Sequence, residues 1–458
     1  MKVFSKILCG IFSIAFAFGI LAGCGGPAKD TLYVLSFKPE YNEIFEEVNE
    51  IFLKENPKIK KVDFKAVDTN SFNNVFTSRI QSGYLDVFTS EVTYMMQGTN
   101  SYMLPLEHQP YMDEIKEEFL TQGSYYDPSK GGEPELLTLP LEQVAYVVYY
   151  NKDIFEEYGQ EVPTTWSEFV AVCEKFAEVA EYPEKGKTPI ESPIVFGGKS
   201  EWPAMNILNA IVADTVDAQN PGFYDQVKAC GVDDKIEFTF TDQYWTEALQ
   251  KLEKIGKDFV DSKIYGLDYS FAATYFSVGN STNNGGDPSK NTKFPMMIDG
   301  TWVGSQIEAD FEVGAFALPA IENPTAANGK KNLAVKSGTT LSVYNGSNKK
   351  DYAQKYLEIF FRDEIYEKFV NFAKTPSVKT TVEQKDELVN SIFDAEKYNF
   401  VEAYDSRMPR YFPLISASEA VGVMKGTVNA ANVLSTLDKS VKNSQKDWGK
   451  YTSLSHTK

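Results

Sequence analysis

The chain has 458 residues, 43% of them hydrophobic and 24% charged, and its formal net charge is −19 at pH 7. This length predicts two domains, since a single core stops growing at about 250–300 residues, and the composition excludes a disordered chain. The acidic balance and the lack of a basic cluster argue against nucleic-acid binding, because such a surface repels phosphate backbones.

The amino terminus has the pattern of an export signal. Two lysines precede the uncharged apolar run Ile7–Ile20, which is shorter than the roughly 20 residues of a membrane span. The run leads into Leu21-Ala22-Gly23-Cys24, which resembles the lipobox of bacterial lipoproteins. The resemblance implies a signal peptide over 1–23, a lipid on the Cys24 thiol and a lipidated tether over 24–30. The protein would then be anchored at the extracytoplasmic face of the cell membrane, at the cell surface or in the periplasm. An ordinary secretory signal, with Cys24 incidental, is the alternative.

Cysteines and histidines leave little room for metal chemistry. The sequence has two histidines and no CxxC or HExxH pair, so we expect neither a metal site nor a cofactor. Cys173 and Cys230 could form a disulfide outside the cytoplasm. Cys173 also lies on the apolar stripe of Trp166, Phe169 and Phe176, however, and this position favours a buried thiol.

Strands and helices alternate in the first third of the chain. Strands are predicted over Thr31–Phe37, Val62–Val67 and Leu85–Thr89. Helices are predicted over Tyr41–Leu53 and Phe72–Ser82, the second of them ended by Gly83. A βαβαβ order predicts a parallel, doubly wound sheet.

The rest of the chain continues this mixed pattern. Thr165 and Glu168 form a capping box at the start of a helix, and apolar spacing from Trp245 to Phe259 predicts another helix. The other predicted segments are strands over Val144–Tyr150, Phe294–Ile298, Phe311–Leu318 and Thr339–Val343, a helix over Asp351–Phe361, and exposed loops over Val278–Lys293 and Glu322–Asn332. The last 75 or so residues are expected to be mainly helical.

Four stretches carry a family resemblance. They are Ser82-Gly83-Tyr84-Leu85-Asp86-Val87, Leu139-Pro140 with Val148 to Phe169, Pro295-Met296-Met297-Ile298-Asp299-Gly300-Thr301-Trp302, and Ala317-Leu318-Pro319 with Gly338 to Val343. In order and spacing they resemble the bacterial extracellular solute-binding proteins of ABC transporters, of the sugar-binding family 1 type. Leu85 stands where that family usually has a proline.

The resemblance implies an α/β fold, a two-lobed periplasmic-binding-protein-like clamp in which each lobe is a sheet flanked by helices and a hinge joins the lobes. Lobe 1 would comprise 31–142 plus 341–376, and lobe 2 would comprise 143–340 plus 377–458. The chain would cross between lobes near Pro140–Tyr146, Gly338–Ser342 and Thr375–Ser377. Such a protein is a monomeric receptor, not an enzyme; it closes on a carbohydrate in the interlobe cleft and delivers it to an ABC permease.

A sugar site combines aromatic faces with polar groups that meet hydroxyls. Trp302, just after Asp299, stands where the family places a cleft aromatic; the alternative is a core tryptophan. Trp202, in a loop after a short strand, could equally pack between helices. Other candidates follow predicted strands, flank crossings or are rare arginines: Phe37, Lys38, Glu40, Asp86, Glu91, Glu142, Tyr146, Tyr275, Asp299, Arg407 and Arg410. The alternative for the residues that follow β-strands is turn-capping or solvated surface. Asp299 could instead hold the turn before Gly300, and the two arginines could pair with acids on the surface.

Other functions remain open at this point. The same clamp could bind a peptide, a polyamine or another polar solute. A glycoside hydrolase needs only two carboxylates facing a sugar, which an acidic chain supplies by chance. A surface adhesin is a third alternative. Gly197-Gly198-Lys199-Ser200 is not a phosphate-binding loop, because Pro193 stands where that motif needs its first glycine.

Overall fold

The computed structural model describes residues 26–91, 100–125, 134–227, 236–281, 287, 290–323, 329–408 and 412–448. The predicted signal peptide, Cys24, Cys230 and Arg410 lie outside these ranges. Within them, no helix combines the length and the apolar character needed to cross a membrane.

The strands are numbered in chain order. They are β1 (Thr31–Ser36), β2 (Lys61–Ala66), β3 (Val87–Glu91), β4 (Ser124–Tyr125), β5 (Glu135–Leu136), β6 (Leu139–Pro140), β7 (Gln143–Asn151), β8 (Ile194–Val195), β9 (Met296–Gly300), β10 (Val313–Phe316), β11 (Lys331–Ser337), β12 (Thr339–Val343) and β13 (Tyr398–Glu402).

The helices occupy most of the chain between the strands. The α-helices are Asn42–Glu55, Thr69–Ser82, Glu117–Gln122, Lys152–Glu157, Trp166–Glu181, Pro203–Val212, Gln243–Asp258, Tyr269–Val278, Lys350–Phe360, Asp363–Ala373, Glu387–Ile392, Tyr404–Arg407, Ala417–Met424 and Ala430–Trp448. A π-helix spans Ala213–Ala218. Short 3-10 helices are Pro39–Tyr41, Asn100–Tyr102, Pro110–Glu114, Gly198–Ser200, Ser262–Gly266 and Thr301–Gln306.

Lobe 1 is built on a sheet of order β2-β1-β3-β12-β6. Every residue of β1 is buried, and helices Asn42–Glu55, Lys350–Phe360 and Asp363–Ala373 pack in the same lobe. β1 runs parallel to β2 and β3, as predicted, but β12 is antiparallel to both β3 and β6. The predicted parallel sheet is therefore mixed, because a strand from late in the chain enters it from the opposite direction.

Lobe 2 is built on a second mixed sheet, of order β13-β11-β7-β9-β8, with β10 also paired to β7. The prediction of a loop over Glu322–Asn332 extends too far along the chain, because β11 already begins at Lys331. β13 is a strand in a region predicted as mainly helical, and it pairs in parallel with β11. Both strands carry lysine or glutamate at their ends, so their short apolar stretches give a weak alternation signal.

The chain passes between the sheets at two short segments. Leu141 and Glu142 join β6 to β7, and Gly338 joins β11 to β12. Farther on, Val378 and Val382 pack in the core of lobe 1, whereas Ile392 packs in that of lobe 2. The predicted two-lobed α/β architecture is confirmed by this pair of helix-flanked sheets.

Local sequence signals explain several helix ends. The predicted capping box is present: the Glu168 backbone N–H donates to the Thr165 hydroxyl, and the Glu168 carboxylate accepts from the Thr165 backbone N–H. Gly83 ends its helix with a φ of 76°, a left-handed conformation that glycine adopts at little cost. Cys173 is a fully buried free thiol, and burial raises its pKa well above the usual value.

Candidate functional site

A cavity of about 620 Å³ lies between the two lobes. Its size falls in the range of small-molecule sites, roughly 300–1,000 Å³. Its walls combine side chains of both lobes with the two segments that join them. The lining residues are Phe37, Lys38, Glu40, Thr69, Glu91, Glu142, Val144, Tyr146, Trp202, Met205, Asn206, Tyr269, Trp302, Gln306, Lys336, Gly338, Thr339, Asp405, Phe412, Leu414, Ile415, Ser416 and Ala417.

Two ion pairs lie in the cavity wall. Lys38 and Glu40, just after β1, are 3.3 Å apart between Nζ and Oε1. Lys336 of β11 reaches across from lobe 2 to Glu91 of β3, with 3.4 Å between Nζ and Oε2. Both lysine side chains are only 12% exposed. Each buried ammonium therefore has a carboxylate partner, which offsets the cost of removing it from water.

The charges around the two lysines keep them protonated. Burial alone would lower the pKa of Lys38, but Glu40, Glu142 and Glu91 outweigh it and raise the pKa. Burial likewise opposes the charge on Lys336, yet Glu91, Tyr146 and Asp405 hold its pKa well above the usual value. The cavity thus carries two fixed positive charges among several carboxylates.

Glu142 joins the segments that connect the lobes. Its carboxylate accepts a hydrogen bond from the Tyr41 hydroxyl at 2.8 Å and one from the Thr339 backbone N–H at 2.9 Å. The Gly338 N–H donates to the Glu142 carbonyl at 2.9 Å. Only glycine fits at 338, since a Cβ there would lie 2.6 Å from Glu142 Cγ. Hydrogen bonds of Glu142 therefore hold together the two segments that connect the lobes.

Aromatic rings form a continuous wall on the lobe 2 side. The ring centroids of Trp202 and Trp302 are 5.8 Å apart, and those of Trp202 and Tyr269 are 5.2 Å apart. Tyr146 contacts Trp302 edge to face at 6.0 Å. Trp202, Tyr269 and Trp302 are partly exposed, so these rings can offer surface to a bound molecule.

Small residues and one unusual turn place the two tryptophans. The Trp302 ring folds back over Gly300, where a Cβ would lie 2.0 Å from the ring. Glu201 is the centre of a γ-turn, with a φ of 60° and a hydrogen bond of 2.7 Å from the Trp202 N–H to the Ser200 carbonyl. Such a turn is strained, and strain of this kind is often kept where it positions a functional side chain. Here it directly precedes Trp202.

Two polar atoms of the lining have no partner among the described residues. They are Nε1 of Trp202, a donor, and Oγ1 of Thr339, a donor and acceptor. A buried polar group without a hydrogen bond is costly, so these two atoms are exceptional points in the cavity wall. Within the same ranges, no group of three or more His, Cys, Asp or Glu side chains could hold a metal ion.

Asp299 lies behind the aromatic wall and is fully buried. Its Oδ1 accepts from Asn206 Nδ2 at 2.9 Å and from the Gly300 N–H at 2.8 Å, while Oδ2 has no partner among the described residues. Burial raises the pKa of Asp299 to about 7, although these two hydrogen bonds and the charge of Lys38 oppose the rise. Asp299 thus supports the turn to Trp302 from behind the wall, and it does not line the cavity.

The structure brings together many, though not all, of the candidate residues. Phe37, Lys38, Glu40, Glu91, Glu142, Tyr146, Trp202 and Trp302 line the cavity. Arg407 belongs to a short helix, but its side chain, like the whole of Arg410, is outside the described part of the structure.

Asp86 and Tyr275 lie away from the cavity. Asp86 precedes β3, at the edge of the sheet opposite Glu91. It is buried and accepts from the Tyr33 N–H, the Ser347 hydroxyl and the Lys349 ammonium. Tyr275 packs against Phe294, with 6.0 Å between the ring centroids. Both are accounted for by packing and structural hydrogen bonds.

Sequence reasoning missed part of the lining. Tyr269 begins a helix whose Asp268 cap was a visible signal, and Asn206 follows Trp202 by four residues on the next helix. Lys336 belongs to the strand that the sequence did not predict. The stretch Phe412 to Ala417 has no regular periodicity, so nothing local indicated that it would reach the cleft.

Comparison with known proteins identifies the family. A family model described as bacterial extracellular solute-binding protein matches residues 36–377. The chain belongs to this family. Members of the bacterial extracellular solute-binding proteins are binding proteins and not enzymes, and the family description places them outside the cytoplasm.

Relatives of this solute-binding protein cover most of its length. The multiple sugar-binding protein of Streptococcus mutans is 23% identical over 408 residues, which is 84% of this chain and 86% of that protein. SBP RafE in complex with raffinose has a similar fold, with a TM-score of 0.67, 19% identity and coverage of 91% and 99% of the two chains. A chitin oligosaccharide binding protein matches with a TM-score of 0.67, 17% identity and the same coverage. These likenesses establish the periplasmic-binding-protein-like fold.

Proposed function

We propose that this protein is a lipid-anchored extracytoplasmic receptor that captures a sugar or oligosaccharide between its lobes and delivers it to an ABC permease. The observation that carries the proposal is the interlobe cavity, with an aromatic wall on lobe 2 and hydrogen-bonding and charged groups supplied by both lobes. A pyranose ring presents C–H groups on its faces and hydroxyls at its edge, and the aromatic wall and the polar groups complement these two surfaces.

The relatives support this cargo class. One is named a multiple sugar-binding protein, and similar folds belong to a raffinose complex and a chitin oligosaccharide binding protein. Closure of the lobes on the solute requires contacts that only the closed state makes. A site with walls on both lobes provides such contacts, and a permease could then recognise the closed form.

A thermal-shift screen of the protein without residues 1–24 tests the proposal. The panel contains mono-, di- and oligosaccharides, with amino acids and polyamines alongside. A ligand that binds only the folded state raises Tm in a saturable way, so a response confined to one saccharide class is expected. Responses to amino acids or polyamines in place of saccharides would contradict a carbohydrate cargo. Release of reducing sugar with time would instead indicate an enzyme.

Trp302→Ala should weaken saccharide binding by about 1–3 kcal/mol, because it removes a stacking surface from the cavity. Calorimetry on the saccharide found in the screen measures the change. Trp166→Ala is the matched control, since Trp166 is a partly buried tryptophan at a helix start that packs on Phe169 outside the lining. Equal affinities for the Trp302 variant and the wild type would remove this ring from the site.

Cys24→Ser should release the full-length protein from the membrane fraction, because a lipid cannot be attached without the thiol. Fractionation of cells that express either form, followed by immunoblotting, measures the distribution. Cys9→Ser provides the control, because Cys9 lies inside the signal segment and would be removed with it. If the Cys24 variant stays in the membrane fraction while the Cys9 variant behaves as wild type, the lipid anchor is excluded.

A further inference from the structure

The Lys38 ammonium lies among three aromatic rings. Its Nζ is 5.7 Å from each of the ring centroids of Phe37, Tyr41 and Trp302, and 3.3 Å from Glu40 Oε1. An ammonium within about 6 Å of several ring centres, with a carboxylate beside it, is the arrangement by which proteins hold cationic ligands in aromatic cages. In this protein the cage holds the Lys38 side chain, and not a ligand.

This cage spans the cleft. Phe37, Lys38 and Tyr41 follow β1 in lobe 1, whereas Trp302 follows β9 in lobe 2. The ring proposed to stack on the solute is therefore also a wall of the Lys38 cage. A solute that reaches Trp302 meets a fixed positive charge at that ring.

The carboxylates near this end of the cavity already have partners. Glu40 pairs with Lys38, and Glu91 pairs with Lys336. Glu142 is only 1% exposed, and both of its oxygens accept hydrogen bonds within the protein. Asp405 is the remaining acid of the described lining, and its charge is one of those that raise the pKa of Lys336. A second ammonium at Trp302 would meet the charge of Lys38, and the carboxylate beside the cage, Glu40, is already paired with Lys38.

We propose that Lys38 is a specificity-determining residue: its ammonium occupies the position that a solute ammonium would take, and so excludes cationic groups from the cavity. This inference rests on the proposed function and deepens it, because it selects neutral sugars over polyamines and free amino sugars.

The test uses putrescine as the cationic probe and compares wild type with Lys38→Ala. Removing the side chain empties the cage while Glu40 and the three rings remain, so affinity for putrescine should rise about tenfold or more. Lys187→Ala is the matched control: Lys187 lies 4.5 Å from the Tyr158 ring centre and 2.9 Å from Glu184, outside the cavity lining. Calorimetry measures binding, and thermal unfolding checks that each variant is folded.

Lys38→Ser, which also vacates the cage and lets water enter it, replaces the alanine variant if that variant does not fold. Putrescine binding to the wild type at least as tight as that of any saccharide would overturn the inference. So would a gain in the Lys38 variant no larger than in the Lys187 control. If the Lys38 variant gains putrescine affinity but the wild type responds to no saccharide, exclusion of cations stands and the proposed carbohydrate cargo fails.

Discussion

Glu142→Ala is expected to lower the free energy of unfolding by about 3–5 kcal/mol, because it removes a buried charged acceptor from two donors at once. The Tyr41 hydroxyl and the Thr339 N–H both lose their partner in a region where water does not replace it easily. The positive charge of Lys38 also loses one of the carboxylates that favour it. Urea denaturation of wild type and variant measures the difference.

Two control variants show whether the loss of stability in Glu142→Ala comes from its buried hydrogen bonds. Glu142→Gln keeps one carbonyl acceptor and should lose clearly less stability than the alanine variant. Glu55→Ala removes a glutamate that pairs with Arg362 on the surface, where such pairs contribute about 1 kcal/mol or less. If the Glu142 alanine variant were no less stable than the Glu55 variant, Glu142 would not fasten the two passages between lobes.

Asp299→Asn is expected to remove a pH dependence of stability that amounts to a few kcal/mol in the wild type. The pKa of about 7 in the folded state lies above the ordinary value of 3.8 for an aspartate, so the folded state binds more protons than the unfolded state between these values. Stability from this group is therefore fully present below about pH 4 and is lost as pH rises to about 7. Denaturation of wild type and variant at pH 5 and pH 8 measures the slope.

Asp214 supplies the matched control for Asp299. It is also buried, burial raises its pKa to about 7, and it accepts from the Ala320 N–H outside the cavity lining. Asp214→Asn should reduce the pH dependence of stability in the same way. Only Asp299→Asn should also reduce a pH dependence of solute affinity, because only Asp299 supports the turn to Trp302. A solute affinity that varies equally with pH in both variants would contradict that role.

Local sequence signals predicted the elements that depend on local rules. The capping box at Thr165, the helix end at Gly83 and the buried strands β1 and β7 follow from residues close in the chain. β11 and β13 were missed because they are stabilised by pairing with each other and with β7, across long sequence separations. Each strand has only a short apolar stretch between polar residues, and such a stretch is hard to distinguish from a loop.

The site was predictable where it follows strand ends. Lys38 follows β1 and Glu91 ends β3 in the sheet of lobe 1, and Trp302 follows β9 in the sheet of lobe 2. All three line the cavity between the two sheets, where residues at strand ends were expected. Asp86 fails this rule because it precedes its strand. Tyr269 and Ile415 enter the cavity from a helix start and an irregular segment, and their positions depend on how distant parts of the chain pack.

The interleaved course of lobe 1 constrains the order of folding. Ser90 of β3 contacts Thr340 of β12 through their hydroxyls, although 250 residues separate them in the chain. The core beneath this sheet also includes Tyr356, Phe360 and Phe369, which follow β12. During synthesis, the core beneath β1 to β3 therefore cannot form until the residues that follow β12 have been translated. Contacts so distant in sequence favour slow folding. A fragment ending before Thr339 would lack β12, the strand that joins β3 to β6, so the amino-terminal residues alone cannot complete the sheet of lobe 1.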